Sequence, residues 1–140
     1  MKPDSTQRLP RLRFSGAQRV PGHEDLCRVR VELEASGHKA FVGSAENSAS
    51  LDGELHAAAA AAVDALHQAL SATGKAVALE LKEVAAFDAF GKPGVMVSLR
   101  GTYQETERPL LGFAALEKDV LRSVVKAVLG ATNRFLAAVG

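Results

Sequence analysis

The chain has 140 residues, 47% of them hydrophobic and 24% charged, which suits one compact domain and is too short for two large ones. Its 17 Lys and Arg balance 16 Asp and Glu, so the net charge of +1 argues against a protein that coats nucleic acid or an acidic membrane. A single cysteine excludes an intramolecular disulfide framework, and no apolar run is long enough to cross a bilayer. Because no signal-like apolar run follows Met1, the cytoplasm is the expected location.

The first predicted elements repeat along the chain at an offset of 66 residues. Alternating Val29, Val31 and Leu33 predict a strand, and Val95, Val97 and Leu99 predict its equivalent. Each strand is followed by a polar turn, at 36–39 and 103–108, and then by a short apolar run that contains glycine, at 40–43 and 110–113. Each pair of runs therefore predicts a hairpin.

An amphipathic helix is predicted after each hairpin. Apolar residues recur at i, i+3, i+4 and i+7 over 55–70 and at the same phase over 121–136, with Thr132 as the one polar member. Asp52 and Asp119 stand near the two helix starts, where a carboxylate can accept free backbone N–H groups. Six consecutive alanines over 57–62 make the first helix apolar almost all round, which is typical of a helix buried on more than one side.

One further strand precedes each hairpin, at 12–15 and 77–84, with turns at 21–23 and 91–94. The repeat unit is therefore βββα, and its copies span about 11–72 and 75–138 of a single domain over 11–140. A flexible tail is expected over 1–10. Because a three-stranded sheet with one helix cannot bury its apolar surfaces fully, we expect the copies to pack on one another in an α+β fold.

The end of the second copy carries a family resemblance. Asp119 is followed by the aliphatic pair Val120 and Leu121, and the helix closes on Ala131-Thr132-Asn133-Arg134. With the βββα duplication, this pattern resembles the C-terminal regulatory domain of 2-isopropylmalate synthase and citramalate synthase over about residues 11–138. In that family an Asp-aliphatic pair opens the last helix and an Ala-x-Asn-Arg-like run closes it. The segment 86–91 also matches the short apolar-Gly turn that the family places before a strand.

The resemblance implies two three-stranded antiparallel sheets with the helices layered between them. It also implies association into homodimers and a feedback amino acid bound near the dimer interface. The catalytic barrel of those enzymes takes about 250 residues and has no room in this chain. Family members carry a Gly-x-Gly-Pro-like turn before the first helix, whereas this chain reads Gly-Ser-Ala-Glu-Asn-Ser-Ala-Ser-Leu-Asp over 43–52, without the Gly-Pro step.

A small carboxylate or amino acid is expected to bind at the loops before the helices, because the free N–H groups of a helix N-terminus bind anions. The candidate effector-binding residues are Gly43, Ser44, Asn47, Ser48, Asp52, Gly112 and Asp119. No cofactor or metal is expected. His56 and His67 lie about 16 Å apart along one helix, and Asp52 with His56 supplies too few ligands for a zinc site.

Enzymatic activity is not expected, because the sequence carries no recognisable catalytic motif. Cys27 and His23 are close in sequence, but no oxyanion donor accompanies them, and Cys27 alternates with Val29 on the predicted inward face. Nucleophile-elbow, phosphate-loop and dinucleotide-binding patterns are missing from the sequence.

Charge is uneven along the chain. Residues 1–30 hold seven Lys and Arg against three Asp and Glu, and residues 31–70 hold one against six. The candidate basic arm comprises Arg8, Arg11, Arg13 and Arg19, and it would meet nucleic acid or the acidic block of a second subunit, formed by Glu32, Glu34, Glu46, Asp52 and Glu54. Two functions stay open beside nucleic-acid binding: a homodimeric regulatory module, and a structural adaptor that binds a partner protein through a sheet edge or helix face.

Overall fold

A computed structural model of the chain describes residues 12–21, 24–35 and 39–139. Its elements in chain order are β1 (Leu12–Pro21), β2 (Leu26–Ala35), β3 (Lys39–Ser48), α1 (Leu51–Thr73), β4 (Val77–Ala89), β5 (Lys92–Tyr103), β6 (Thr106–Ala115) and α2 (Val120–Val139). The predicted α+β fold with two βββα units is confirmed. The predicted tail over 1–10, residue 11, and the turn residues 22–23 and 36–38 lie outside the described residues.

The two sheets are antiparallel and have the orders β1-β2-β3 and β4-β5-β6. Their registers match between the halves, since Val31 pairs with Gly43 in the first sheet and Val97 pairs with Gly112 in the second. The edge strands match as well. The register shifts between Phe14 and Gly16 in β1 and between Leu81 and Glu83 in β4, so each half carries one β-bulge at the same place.

The helices form a layer between the sheets, as the resemblance implies. Each helix packs on the sheet of its own half and also reaches the other half, because α1 contacts β4, α2 contacts β1, and the helices contact each other. The alanine run of α1 is deeply buried: Ala57, Ala58, Ala59, Ala61 and Ala62 are each at most 1% exposed. Neither helix of the described chain carries an apolar stretch of the kind that a membrane crossing requires.

A glycine in each outer strand lets the strand touch its helix. A Cβ on Gly43 of β3 would overlap the backbone of Ala61 and Ala65, and a Cβ on Gly112 of β6 would overlap Ala127 and Ala131. The helix residues of these two crossings lie 66 positions apart, whereas the two glycines lie 69 positions apart, so residues of β3 and β6 correspond at an offset of 69. Small residues on both sides therefore bring backbones into contact, which accounts for the alanine-rich core.

The hairpin turns are shorter than predicted. The predicted turn at 91–94 is wrong in position, because the chain reverses at Phe90 and Gly91, with φ of 55° and 74°, and residues 92–94 already belong to β5. The predicted turn at 103–108 likewise shrinks to Gln104 and Glu105, with φ of 51° and 66°. Two-residue hairpin turns with positive φ at both positions follow the twist of the strands, so each hairpin closes in the tightest way available.

Candidate functional site

The seven predicted effector-binding residues do not meet at one place. Gly43 and Gly112 lie in the middle of β3 and β6, beneath the central turns of the two helices. The backbone N–H of Ser44 donates to the Asp64 carboxylate at 3.1 Å. At 1.5 Å of rise per residue, Asp64 lies about 18 Å along α1 from Asp52. Asn47, Ser48 and Asp52 remain at the start of α1, and Asp119 remains at the start of α2.

Both helix starts are capped by side chains of the chain itself. Ser50 Oγ accepts the N–H of Gly53 at 3.0 Å, and Asp119 Oδ1 accepts the N–H of Arg122 at 3.1 Å, so the predicted cap by Asp119 is confirmed. The cap of α1 is Ser50 and not Asp52, whose side chain is 81% exposed. A bound carboxylate would compete with these acceptors and meet the charges of both aspartates, which disfavours the helix starts as anion sites.

The serines and the asparagine before α1 satisfy one another. Asn47 Oδ1 accepts the N–H of Ser48 at 2.7 Å, and Ser48 Oγ lies 3.0 Å from Ser50 Oγ. These bonds fix the entry of the chain into α1. Their acceptors are therefore engaged in holding the local backbone.

A recess of about 540 Å³ lies beside the start of α1 and contains one ion pair. Arg19 reaches Glu54 through both sides of its guanidinium: Nη2 donates to Oε1 at 2.8 Å and Nε donates to Oε2. The hydrogen bond to Glu54 is the main cause that raises the pKa of Arg19 above its ordinary value. The charges of this recess neutralise each other, so its lining offers a ligand little electrostatic attraction.

The acidic block meets arginines of its own chain. Besides the Arg19–Glu54 pair, Arg13 Nη2 lies 3.6 Å from Glu34, and Arg28 Nε lies 3.6 Å from Glu46. Arg13 and Arg19 belong to β1, whereas the other two members of the predicted basic arm, at positions 8 and 11, lie outside the described residues. Both described members of the arm thus pair with acidic residues of the same chain.

The outer face of the first sheet, which points away from the helices, is charged. Along β2, Val29, Val31 and Leu33 point inward and are fully buried, so the alternate residues point outward. The outward row of β2 consists of Arg28, Arg30, Glu32 and Glu34. Glu32 accepts a hydrogen bond from Ser15 at 3.3 Å, and Arg28 and Glu34 form the ion pairs above. Such charged and polar side chains are stable in contact with water.

The outer face of the second sheet carries a cluster of apolar residues, whereas the central strand of the first sheet presents only charged residues on that side. We define the apolar face as Ala85, Phe87, Met96, Leu111 and Phe113, which the strand register places on the same side. The rings of Phe87 and Phe113 meet edge to face with centroids 6.3 Å apart, at an angle of 89°. The Phe87 ring lies over Gly94, where a Cβ would come within 2.7 Å of it. Leu111 and Phe113 remain 58% and 59% exposed.

Phe90 at the tip of the β4–β5 hairpin is fully exposed. It adopts a left-handed backbone conformation with φ of 55°, which costs free energy for a residue other than glycine or asparagine. A large apolar side chain held in the open on a strained backbone adds to the apolar surface at this end of the sheet.

The signal for the apolar face is present in the sequence. The charged row at 28, 30, 32 and 34 corresponds, 66 residues later, to Gly94, Met96, Ser98 and Arg100. Alternation alone does not reveal the difference, because Met96 and Ser98 also fit the solvent side of a half-buried strand. Comparing the two copies position by position would have found it.

The two histidines of α1 take part in the fold. His56 Nδ1 lies 2.8 Å from the Asp52 carbonyl oxygen, and the backbone N–H of Leu79 donates to His67 Nε2 at 3.2 Å. Within residues 12–21, 24–35 and 39–139, no three His, Cys, Asp or Glu side chains are grouped so that they could hold a metal ion.

No family model and no curated protein matches this sequence. Within the described surface, the apolar face is the feature that contact with water does not explain.

Proposed function

We propose that the chain is a non-catalytic regulatory or binding module that works as a homodimer, with the apolar face as the contact between copies. The observation that carries the proposal is the exposure of Leu111 and Phe113, at 58% and 59%, on the solvent side of a sheet whose counterpart has a fully charged central strand. Burying large apolar side chains of this kind gains roughly 25 cal/mol per Å² removed from water. A second copy of the chain presents the same exposed apolar residues, so both surfaces would be removed from water by pairing.

The whole outer surface of the second sheet, which comprises the apolar face and its charged flanks, is large enough for a specific pair. Three strands about 4.8 Å apart, with about ten residues each at 3.3 Å of rise, present roughly 500 Å². Two such faces reach roughly 1,000 Å² in total, the lower range for a specific interface, and Phe90 extends them. An association of moderate affinity is expected.

The charges around the apolar face support pairing with itself. Arg100 lies 3.9 Å from Glu107, and Lys82 lies 3.6 Å from Glu80, so both signs flank the apolar residues. A twofold interface brings the same patch against itself, which requires such a mixed rim rather than charges of one sign. Homodimer formation is also what the resemblance to the regulatory domain of 2-isopropylmalate synthase implies.

The non-catalytic part of the proposal rests on how the nucleophilic and basic groups are used. His67 accepts a backbone hydrogen bond that joins α1 to β4, and His56 bonds the backbone of its own helix. Cys27 is half-buried against the core. These groups serve packing and the backbone.

Sedimentation equilibrium of the full chain tests the proposal, together with a matched pair of variants. Phe113→Glu places a charge on the apolar face, and Ser44→Glu places the same charge at the corresponding position of β3, opposite Arg30 in the first sheet. We expect the wild type and Ser44→Glu to form dimers with the same dissociation constant. Phe113→Glu should weaken the dimer at least tenfold, because a carboxylate would be buried without a partner.

A wild-type chain that stays monomeric at all concentrations would overturn the homodimer. A dimer that Ser44→Glu weakens as much as Phe113→Glu does would place the contact elsewhere. Circular dichroism of both variants checks that the fold is intact, which the exposure of both positions predicts.

A structural adaptor for a different protein is the second candidate, because the same exposed apolar residues would serve a foreign surface equally well. It is favoured if the wild type is monomeric while Phe113→Glu alone raises the concentration at which the chain aggregates. Those two results would show that the apolar face is adhesive but does not bind a second copy of the chain.

A further inference from the structure

A groove of about 550 Å³ lies between α2 and the β5–β6 hairpin in the second half. Its floor is apolar and includes Leu110, Phe135 and Ala131, of which Phe135 and Ala131 are buried. Its rim carries Arg108 and Arg134. None of the residues predicted from the sequence to bind an effector lines it.

In the first half, the same seam between helix and outer strand is closed by hydrogen bonds. Gln68 Nε2 on α1 donates to the carbonyl oxygen of Val42 at 2.6 Å. Asp64, one turn earlier, accepts the N–H of Ser44 at 3.1 Å. Two polar side chains thus tie α1 to the free edge of β3.

The second half lacks both ties. The residues 66 positions after Asp64 and Gln68 are Gly130 and Arg134. Gly130 has no side chain, and the side chain of Arg134 makes no hydrogen bond or ion pair with any other residue that the structure describes. The seam therefore stays open at the positions where the first half is sealed.

The floor of the groove also differs between the halves. Phe135 stands where α1 has Ala69, and its ring lies against Gly101, where a Cβ would come within 2.7 Å of the ring. The corresponding pair in the first half is Ala35 and Ala69, both small and buried. An aromatic ring on a glycine gives the groove a flat apolar base.

The two arginines approach the groove from opposite walls. Arg108 and Gly112 are four residues apart in β6 and so share a face, and Gly112 touches α2. Arg108 therefore lies on the helix side of the sheet, while Arg134 comes from α2 itself. Among the described residues Arg108, like Arg134, has no ion-pair partner, whereas its counterpart Lys39 lies 5.6 Å over the Phe41 ring.

We propose that this groove binds a small carboxylate with an apolar body. The acid group lies between Arg108 and Arg134, and the body lies over Leu110 and Phe135. Guanidinium groups suit carboxylates because they present paired N–H donors, and two unpaired cations beside one cavity attract an anion. The volume falls within the roughly 300–1,000 Å³ of small-molecule sites.

This inference rests on the proposed binding role of the chain but not on the homodimer. The Phe113→Glu variant separates the two, because Phe113 is not part of the groove lining. Loss of the dimer with retention of the ligand is expected for that variant.

Titration of the ¹⁵N-labelled full chain with octanoate, followed by two-dimensional NMR, is the direct test. Octanoate has one carboxylate and an aliphatic body; acetate lacks the body, and 1-octanol lacks the charge. We expect octanoate to shift the amide signals of 110–111 and 130–138 in a saturable way. Acetate and octanol should bind at least tenfold more weakly, since each lacks one of the two recognised groups.

Variants test the two arginines against a matched control. Arg108→Ala and Arg134→Gln should each weaken octanoate roughly tenfold. Gly130→Asp combined with Arg134→Gln installs the two side chains that seal the first half and should abolish binding. Lys39→Ala, the counterpart of Arg108, should leave the affinity unchanged. All these positions are exposed, so the variants should fold, which the amide spectrum itself reports.

Three results would overturn the proposal. They are the lack of saturable shifts up to about 10 mM octanoate, octanol binding as tightly as octanoate, and shifts that centre on residues of the first half. An unchanged affinity in both arginine variants would equally remove the arginines from the site.

Discussion

The outward row of β2 and the outward row of β5 occupy the same place in the two halves and differ in chemistry. The first consists of Arg28, Arg30, Glu32 and Glu34, and the second of Gly94, Met96, Ser98 and Arg100. The contacts between each helix and its outer strand also differ. Two side chains of α1 hydrogen-bond to β3 in the first half, whereas a groove lies open between α2 and β6 in the second. Both departures place apolar or unpaired groups in the second half.

The interiors of the halves, in contrast, are closely alike. Both have a glycine under a pair of helix alanines and a bulge at the same position of the first strand. The repeat therefore maintains the packing that folds the chain and varies the surface. The surfaces on which we base the proposed functions therefore both lie in the second half.

The largest expected effect tests whether the interiors are equivalent. Gly43→Val and Gly112→Val should each lower the free energy of unfolding by about 3 kcal/mol or more, because the new side chain meets helix backbone that cannot move aside. Urea denaturation followed by circular dichroism measures both losses.

Gly16→Val in β1 is the control for these glycines, since a Cβ there meets no atom within 4 Å. Its effect should stay within about 0.5 kcal/mol. A loss under about 1 kcal/mol at only one crossing would show that the two interiors differ, and such small losses at both would contradict the close backbone contact.

A smaller effect is expected where the interiors differ. Leu66 of α1 and Thr132 of α2 are both fully buried at equivalent positions, and Thr132 Oγ1 donates to the Val128 carbonyl oxygen at 3.0 Å. Leu66→Thr should cost about 2 kcal/mol through lost apolar contact. Thr132→Val should change stability by less than about 1 kcal/mol, because no group is left without a partner. Equal losses in the two variants would contradict this difference.

The smallest effect tests the exposed hairpin tip. Phe90→Asn should raise the free energy of unfolding by about 0.5 kcal/mol, because asparagine accepts a positive φ more readily, and should weaken association. Gln104→Asn, at the first position of the other tight turn, should stabilise by a similar amount without changing association. Thermal unfolding and sedimentation of both variants provide the comparison. If Gln104→Asn weakened association as well, the effect would not be specific to the β4–β5 tip, and the tip would have no special part in the interface.

Much of the fold could be predicted from the sequence because the pattern of buried apolar residues occurs twice along the chain. Val29, Val31 and Leu33 predict β2, and their counterparts predict β5, since one face of each strand must be apolar. Turn positions could not be predicted as well. Gly91 is followed by Lys-Pro-Gly, a run typical of loops, yet the φ values place the reversal at Phe90 and Gly91. Local composition indicates a turn but not which two residues form it.

The surfaces were harder to predict than the fold. The sequence predicts Gly43 and Gly112 at an effector loop, but both lie in strands packed against a helix. Residue type alone does not distinguish a glycine in a loop before a helix from one in a strand beneath it. The groove is open because two residues of α2 do not hydrogen-bond to β6 through their side chains: Gly130 has no side chain, and the side chain of Arg134 makes no such bond. Only the contrast with Asp64 and Gln68 shows that the seam is open, and that contrast needs the three-dimensional pairing of strand and helix.

The methyl group of Met96 provides the most direct measurement of the central claim, that copies meet through the apolar face. The chain has two methionines, so ¹³C-methyl labelling gives two signals, and Met96 pairs with Phe113 in the register of the second sheet. We expect the Met96 signal to shift with protein concentration along the same curve as the sedimentation mass, and to lose that dependence in Phe113→Glu. A mass that doubles while the Met96 signal stays unchanged would contradict the account.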